Sequence, residues 1–287
     1  MSDYGIPNEE HLDTMFKAIT DTMDQVSGNE AMNLSNAQRY AFAVLSIEDL
    51  TPMERVSGNE GFFDKLGSGL KKMWDYIVKM FKSIGNFFFG SSDDSSKKKL
   101  AAAKENVEEN KKAMTGGEPT EEQSDRMREH QLNIARDYAR YVRYTEEFSH
   151  DKDVFDPAEL QFMKRATVSF QGNIEKAGPY VKKVGAKIPS LATAKSAQDD
   201  LMALLKLCED DQKLIESLKS ELSKRIDELT HEMASAGGDP DGMIGYKIKG
   251  ANLFIKILVA VGKRMTQTIS SVTKLSDTIA HTFNEKK

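Results

Sequence analysis

Cysteine is nearly absent from this chain of 287 residues: Cys208 stands alone, so no internal disulfide can form. A lone thiol also fits synthesis in a reducing compartment. Seven prolines and eight tyrosines leave little material for a β-rich fold. The five histidines, His11, His130, His150, His231 and His281, show no HxxxH spacing, and with a single thiol no transition-metal site is expected. GxxxxGKS/T, GxGxxG and GxSxG sequences are all missing, which removes the usual phosphate-cradling loops and the nucleophile elbow. No uncharged apolar run reaches transmembrane length; Leu253 to Val261 comes nearest, is short, and holds Lys256. Met1 is followed by an acidic stretch without an apolar core, so no secretory signal is expected. The expectation is a non-enzymatic protein, soluble when made, with no cofactor.

What is present suits long helices. Apolar residues make up 39% and charged residues 30%, a balance that gives helices wide solvated faces. The net charge of −5 hides a polarity along the chain. Residues 1–60 hold eleven acidic and three basic side chains, net −8, whereas residues 61–90 hold five lysines and two aspartates, net +3. The remainder balances, and neither sign is strong enough to argue for specific nucleic-acid binding.

The most informative stretch is residues 61–89. At about 100° per residue, Phe62, Phe63, Leu66, Leu70, Met73, Trp74, Ile77, Met80, Phe81, Ile84 and Phe88 fall within an arc of roughly 120°. Lys65, Lys71, Lys72, Lys79 and Lys82 fall on the opposite side. An aromatic stripe backed by lysine is the pattern of a helix lying in a membrane interface or filling a partner's groove. A core helix of the chain's own bundle has the same pattern. An acidic leader directly before such a helix can mask it, though screening limits this to a Debye length of about 8 Å.

The organisation expected is all-α: an elongated helical bundle with a long antiparallel C-terminal hairpin, a separate amphipathic helix and a helical N-terminal leader. Residues 1–60 form the leader, with short helices over His11–Val26 and Ala37–Ile47. Residues 61–90 form the cationic amphipathic helix. Residues 91–119 hold a solvated Ser/Asp linker and a marginal, exposed helix over Lys97–Met114. Residues 120–287 form the bundle. Within it, Thr120 caps a helix to about Phe148. Asp156–Pro157 starts another, expected to reach about Ile174, with a weaker glycine-interrupted stretch over Tyr180–Lys187. Ser190 opens the longest helix, to about Ser235, on a seam from Leu201 to Met233 in which Asp211 is a flaw. A Gly/Asp/Pro turn at 237–242 leads into the last helix, from about Met243 to Thr282. Glu209, Asp210 and Asp211 point different ways from a helix and read as a solvated face, and Cys208 as a small core residue.

One short sequence occurs twice, 30 residues apart: Val26 to Glu30 and Val56 to Glu60 are both Val-Ser-Gly-Asn-Glu. Its Gly-Asn-Glu resembles the small-residue–X–Glu sites at which the prohead proteases of giant tailed bacteriophages cut head proteins during maturation. The resemblance covers residues 1–60 by motif and the remainder only by general character. It implies that Gly28, Asn29 and Glu30, and again Gly58, Asn59 and Glu60, are cleavage signals, with cuts after Glu30 and Glu60. The second cut removes the −8 leader and leaves Gly61-Phe62-Phe63-Asp64-Lys65-Leu66, a start similar to the opening of cationic membrane-active peptides. The resemblance thus implies an internal head protein of the virion, made in the host cytoplasm, processed by a maturation protease, packed with other virion proteins, and able to be ejected towards an anionic host membrane. Self-association is compatible with the long helices. Two other readings use the same helix: a membrane-active or pore-forming protein needing no cleavage, and a scaffold that docks residues 61–89 on a partner.

Overall fold

The computed structural model describes residues 14, 18, 35, 36, 39, 74, 75, 78, 79, 81–90, 95–148, 157–235 and 243–284. Almost all of these are helical and none forms a strand, so the all-α fold class holds. Five helices have defined bounds: α1, Ser96–Ala113; α2, Glu121–Phe148; α3, Pro157–Val184; α4, Leu191–Ser235; and α5, Met243–Asn284. Helix α5 touches each of the other four and lies at the centre of the bundle. Its stripe of Phe254, Ile257, Leu258, Val261, Met265, Val272, Leu275 and Ile279 is buried throughout, as a 3–4 spacing on a central helix requires.

Local chemistry sets the helix ends. At α2 the Thr120 hydroxyl accepts the Gln123 N–H at 3.2 Å, and the Gln123 side chain accepts the Thr120 N–H at 2.9 Å. This reciprocal capping box satisfies two N–H groups that the first turn leaves unpaired. Ser190 and Thr193 repeat the arrangement at α4, with N–H to hydroxyl distances of 3.0 and 3.4 Å. Buried Gln131 of α2 closes the far end of α3 by donating to the carbonyls of Val184 and Ala186 at 2.7 and 2.8 Å.

Helix α3 is longer than its sequence suggests. It runs past Ile174 and through Gly178 and Pro179 to Val184. Pro179 forfeits the bond to the Glu175 carbonyl, but Glu175 is exposed and water can take that group. Packing repays the loss: Ile174, Ala177 and Val184 continue one buried stripe. Gly178 is placed where a Cβ would lie 2.7 Å from the Tyr138 hydroxyl of α2.

Helix α1 differs from expectation more sharply. The stretch read as marginal is seated on α4 and α5, with Leu100, Ala103 and Val107 buried. Its polar residues are spent on the same contacts. Lys104 pairs with Glu209 and Lys111 with Asp199 on α4, while Asn110 donates to Ser276 at 3.0 Å and to Asp277 at 2.8 Å on α5. Few apolar residues suffice because polar side chains complete the seat. Ser95 and Ser96, read as solvated linker, are buried.

Helices α4 and α5 pair in opposite directions. Gln198 donates to the Ser276 carbonyl at 3.1 Å, and further along Asp211 of α4 meets Arg264 of α5. The expected turn at 237–242 lies outside the described residues, as does most of the leader. Of the leader, Ala18 is helical, fully buried, and part of the same core cluster as the bundle.

Candidate functional site

The aromatic segment, residues 74–90, is where sequence and structure bear most directly on function. Residues 81–89 are continuous helix, with 74, 75, 78 and 79 also helical. Gly90 ends the helix, its N–H donating to the Asn86 carbonyl at 2.8 Å, where any Cβ would stand 2.2 Å from that oxygen. Of the expected apolar face, Trp74, Ile84 and Phe88 are no more than 2% exposed and Phe81 is half-buried against the core. Lys79 and Lys82 are exposed. Phe62, Phe63, Leu66, Leu70, Met73, Ile77, Lys65, Lys71 and Lys72 lie outside the described residues, as do the repeat residues Gly28, Asn29, Glu30, Gly58, Asn59 and Glu60.

The apolar face is therefore seated, at these positions, in the chain's own core. Three polar contacts fasten it. The Trp74 indole N–H donates to the Thr230 hydroxyl at 2.9 Å, Gln212 Nε2 donates to the Phe88 carbonyl at 3.1 Å, and the Ser96 hydroxyl reaches the same carbonyl at 3.5 Å. Phe87, which the periodicity left off the stripe, is buried too, packing edge-on to Phe88 with centroids 5.1 Å apart. Three consecutive phenylalanines at a helix end were its only signal. Exposing a fully buried large apolar side chain costs about 1.5–3 kcal/mol. Releasing Trp74, Ile84 and Phe88 into water thus costs roughly 5–9 kcal/mol on the same scale, far more than screened charge at the protein surface can supply.

A second site lies deeper. Asp211, the flaw in the α4 seam, is fully buried and paired with Arg264 of α5, itself buried. Asn173 of α3 donates to the other Asp211 oxygen at 2.8 Å, so three helices meet at one carboxylate. A buried charge needs this pairing; of the solvated face foreseen for 209–211, Asp210 is exposed and the Glu209 side chain 37% exposed, and Asp211 alone departs from it. Arg264 also borders a cavity of about 30 Å³ shared with Cys208, Asp137 and Tyr138, room for one water. Burial holds the Arg264 guanidinium below its ordinary value, opposed by Cys208, Tyr141 and Tyr138. Burial also pushes the Cys208 thiol up, leaving it protonated and inert.

Among the described residues no group of three or more His, Cys, Asp or Glu could hold a metal ion. Among them, too, no helix is long and apolar enough to cross a membrane. No protein-family model, curated protein or solved structure matches the chain.

Proposed function

We propose that this is a non-enzymatic virion protein of a tailed bacteriophage, packaged inside the head, matured by proteolysis after Glu60, and ejected to act at the host membrane through residues 61–89. The observation that carries the reading is the stowage of the aromatic face: Trp74, Ile84 and Phe88 are buried in the bundle and fastened to it by polar contacts. A chain stored beside a genome, with no membrane present, needs its apolar face covered. Exposed Lys79 and Lys82 keep the outer side of the same segment cationic and suited to anionic lipid.

Stowage refines the role of the leader. Removing residues 1–60 takes away −8 of charge, but the cost of exposing the face keeps the segment seated until an apolar phase receives it. One residue of the leader, Ala18, is buried in the common core as well. Cleavage arms the chain by loosening this cover, and the bilayer draws the segment out. The partners are other virion proteins, the maturation protease and an anionic membrane, and the protein is made in the host cytoplasm before assembly.

The test is the intact mass and N-terminal sequence of the protein from its natural source. A start at Gly61, or at Ala31 for the first cut alone, supports processing. A start at Met1 or Ser2 removes it.

A further inference from the structure

The aromatic segment and α1 follow one track along α4. Trp74 meets Thr230, Phe88 and Phe89 meet Gln212 and Lys219, Lys104 meets Glu209, and Lys111 meets Asp199. As the chain runs from 74 to 111 its partners run back from 230 to 199, so both pieces lie antiparallel to α4. Together they cover about 46 Å of that helix at 1.5 Å per residue. They are also joined to each other. The Phe88 carbonyl accepts from Gln212 of α4 at 3.1 Å and from Ser96 of α1 at 3.5 Å.

The bundle beneath closes without them. Helix α2 packs on α3 and α5, α3 on α4, and α4 on α5, a ring in which each of four helices has two neighbours. Helix α1 rests on α4 and α5, outside that ring. Its apolar seat is small, made by Leu100, Ala103 and Val107. The rest is polar contact from Lys104, Asn106, Asn110 and Lys111, at side chains near enough to solvent for water to replace it. Beyond α1 the chain is pinned. The N–H groups of Thr115 and Gly116 both donate to the Phe283 carbonyl, at 3.1 and 3.0 Å, and so cap the end of α5. Gly117 follows at φ +117°, where a Cβ would stand 3.1 Å from the Thr282 carbonyl.

We propose that residues 74–90 and α1 leave α4 and α5 together, as one arm anchored at residues 115–117, while α2–α5 stay folded. Pieces that share a track, an acceptor and a single anchor open as one cooperative unit. Opening uncovers Ile215 and Leu258, which line the space beside the segment, so in water it is rare. The role of the arm rests on the membrane reading above: α1 becomes the stalk between bundle and bilayer. Its 18 residues extend about 27 Å, and its alanines and lysines favour helix once it is off the bundle.

The experiment is native-state hydrogen exchange on the full chain in solution, at denaturant concentrations below the unfolding transition. Residues 81–89 and 96–113 should exchange through one opening with one denaturant dependence, while α2–α5 stay at least about tenfold better protected. Asp199→Ala with Asp277→Ala removes exposed carboxylates that hold the far end of α1 and leaves the ring of four helices intact. It should speed exchange at 81–89 and 96–113 alike, by about fivefold. Acceleration confined to α1, unequal denaturant dependences, or α1 exchanging only when α2–α5 do overturns the proposal. Anionic vesicles separate the two readings. Binding by the chain cut after Glu60 while 96–113 stays protected sinks the arm and leaves the membrane reading standing. A shared opening in solution without vesicle binding keeps the arm and removes its membrane role.

Discussion

The indole nitrogen of Trp74 donates to the hydroxyl of Thr230 at 2.9 Å, joining positions 156 residues apart in the chain. The same hydroxyl donates to the Ile226 carbonyl at 2.7 Å, so it is oriented by α4 to receive the indole. Thr230 is otherwise exposed, and its contribution is this bond. Thr230→Val leaves a buried N–H without an acceptor, which costs about 1–3 kcal/mol. Denaturant unfolding followed by the emission of Trp74, the chain's one tryptophan, checks it. Thr230→Ser keeps the oxygen and should lose far less.

Asp211 and Arg264 carry the opposite lesson about buried polarity. Removing one partner leaves the other charged in the core, so Asp211→Ala should destabilise by about 3–5 kcal/mol. Replacing the whole cluster with apolar residues removes the desolvation cost as well. The triple variant Asn173→Leu, Asp211→Leu, Arg264→Met should therefore recover most of the stability lost in Asp211→Ala. Chemical denaturation of the two variants beside the wild type measures this; a triple variant no better than the single one contradicts it.

Gly178 and Tyr138 are coupled by space alone. A methyl at 178 meets the phenolic oxygen at 2.7 Å but the ring carbon behind it at 3.5 Å, an ordinary contact. Gly178→Ala should cost about 1–3 kcal/mol through overpacking. In a Tyr138→Phe background the clash is gone, and the same change should become neutral or favourable by up to about 1 kcal/mol, the helix advantage of alanine. A double-mutant cycle gives the answer, with additivity as the contradicting result.

Asp137 and Glu209 should respond to pH with opposite signs. Burial holds the Asp137 carboxyl above its ordinary 3.8, against the pull of the Ser271 hydrogen bond, Arg140 and Arg136. The folded state then binds this proton more tightly than the unfolded one, so stability falls as pH rises through the folded value. Asp137→Asn removes that deficit: its melting temperature should exceed wild type at neutral pH, with the gap closing below about pH 3.8, the ordinary value. Hydrogen bonds from Lys104 and Lys213 hold Glu209 below its ordinary value. Its contribution is present at neutral pH and lost as pH falls through the folded value, so Glu209→Gln should lower the melting temperature only above that range. Melts of both variants across the acid range settle the signs.

The long helices were legible because their signals are local. Thr120, Asp156–Pro157 and Ser190 place the starts of α2, α3 and α4 near those observed, and the spacing of apolar residues along α4 and α5 places their ends, whereas α3 runs past its expected end at Ile174 to Val184. What depends on distant partners was not. Helix α1 reads as marginal because its stability resides in Lys104, Lys111 and Asn110 reaching other helices. Asp211 stood out as a flaw, but its partner Arg264 lies 53 positions on and is fixed only by the register of α4 against α5. The aromatic stripe was visible at once. Its burial was not, since a 3–4 spacing specifies which side chains share a face and leaves open whether bilayer, partner or the chain itself covers it.

The central claim is that Trp74 exchanges the bundle for a bilayer once residues 1–60 are removed. Binding to anionic vesicles carrying a lipid-borne quencher, followed by Trp74 emission for the full chain and for the chain cut after Glu60, tests it most directly. The account predicts that the cut chain binds at least about tenfold more tightly, a difference of about 1.4 kcal/mol, and that the lipid quenches its Trp74. Equal affinity of the two forms, with Trp74 shielded from the lipid in both, would show that residues 74–90 are a permanent part of the core and contradict the account.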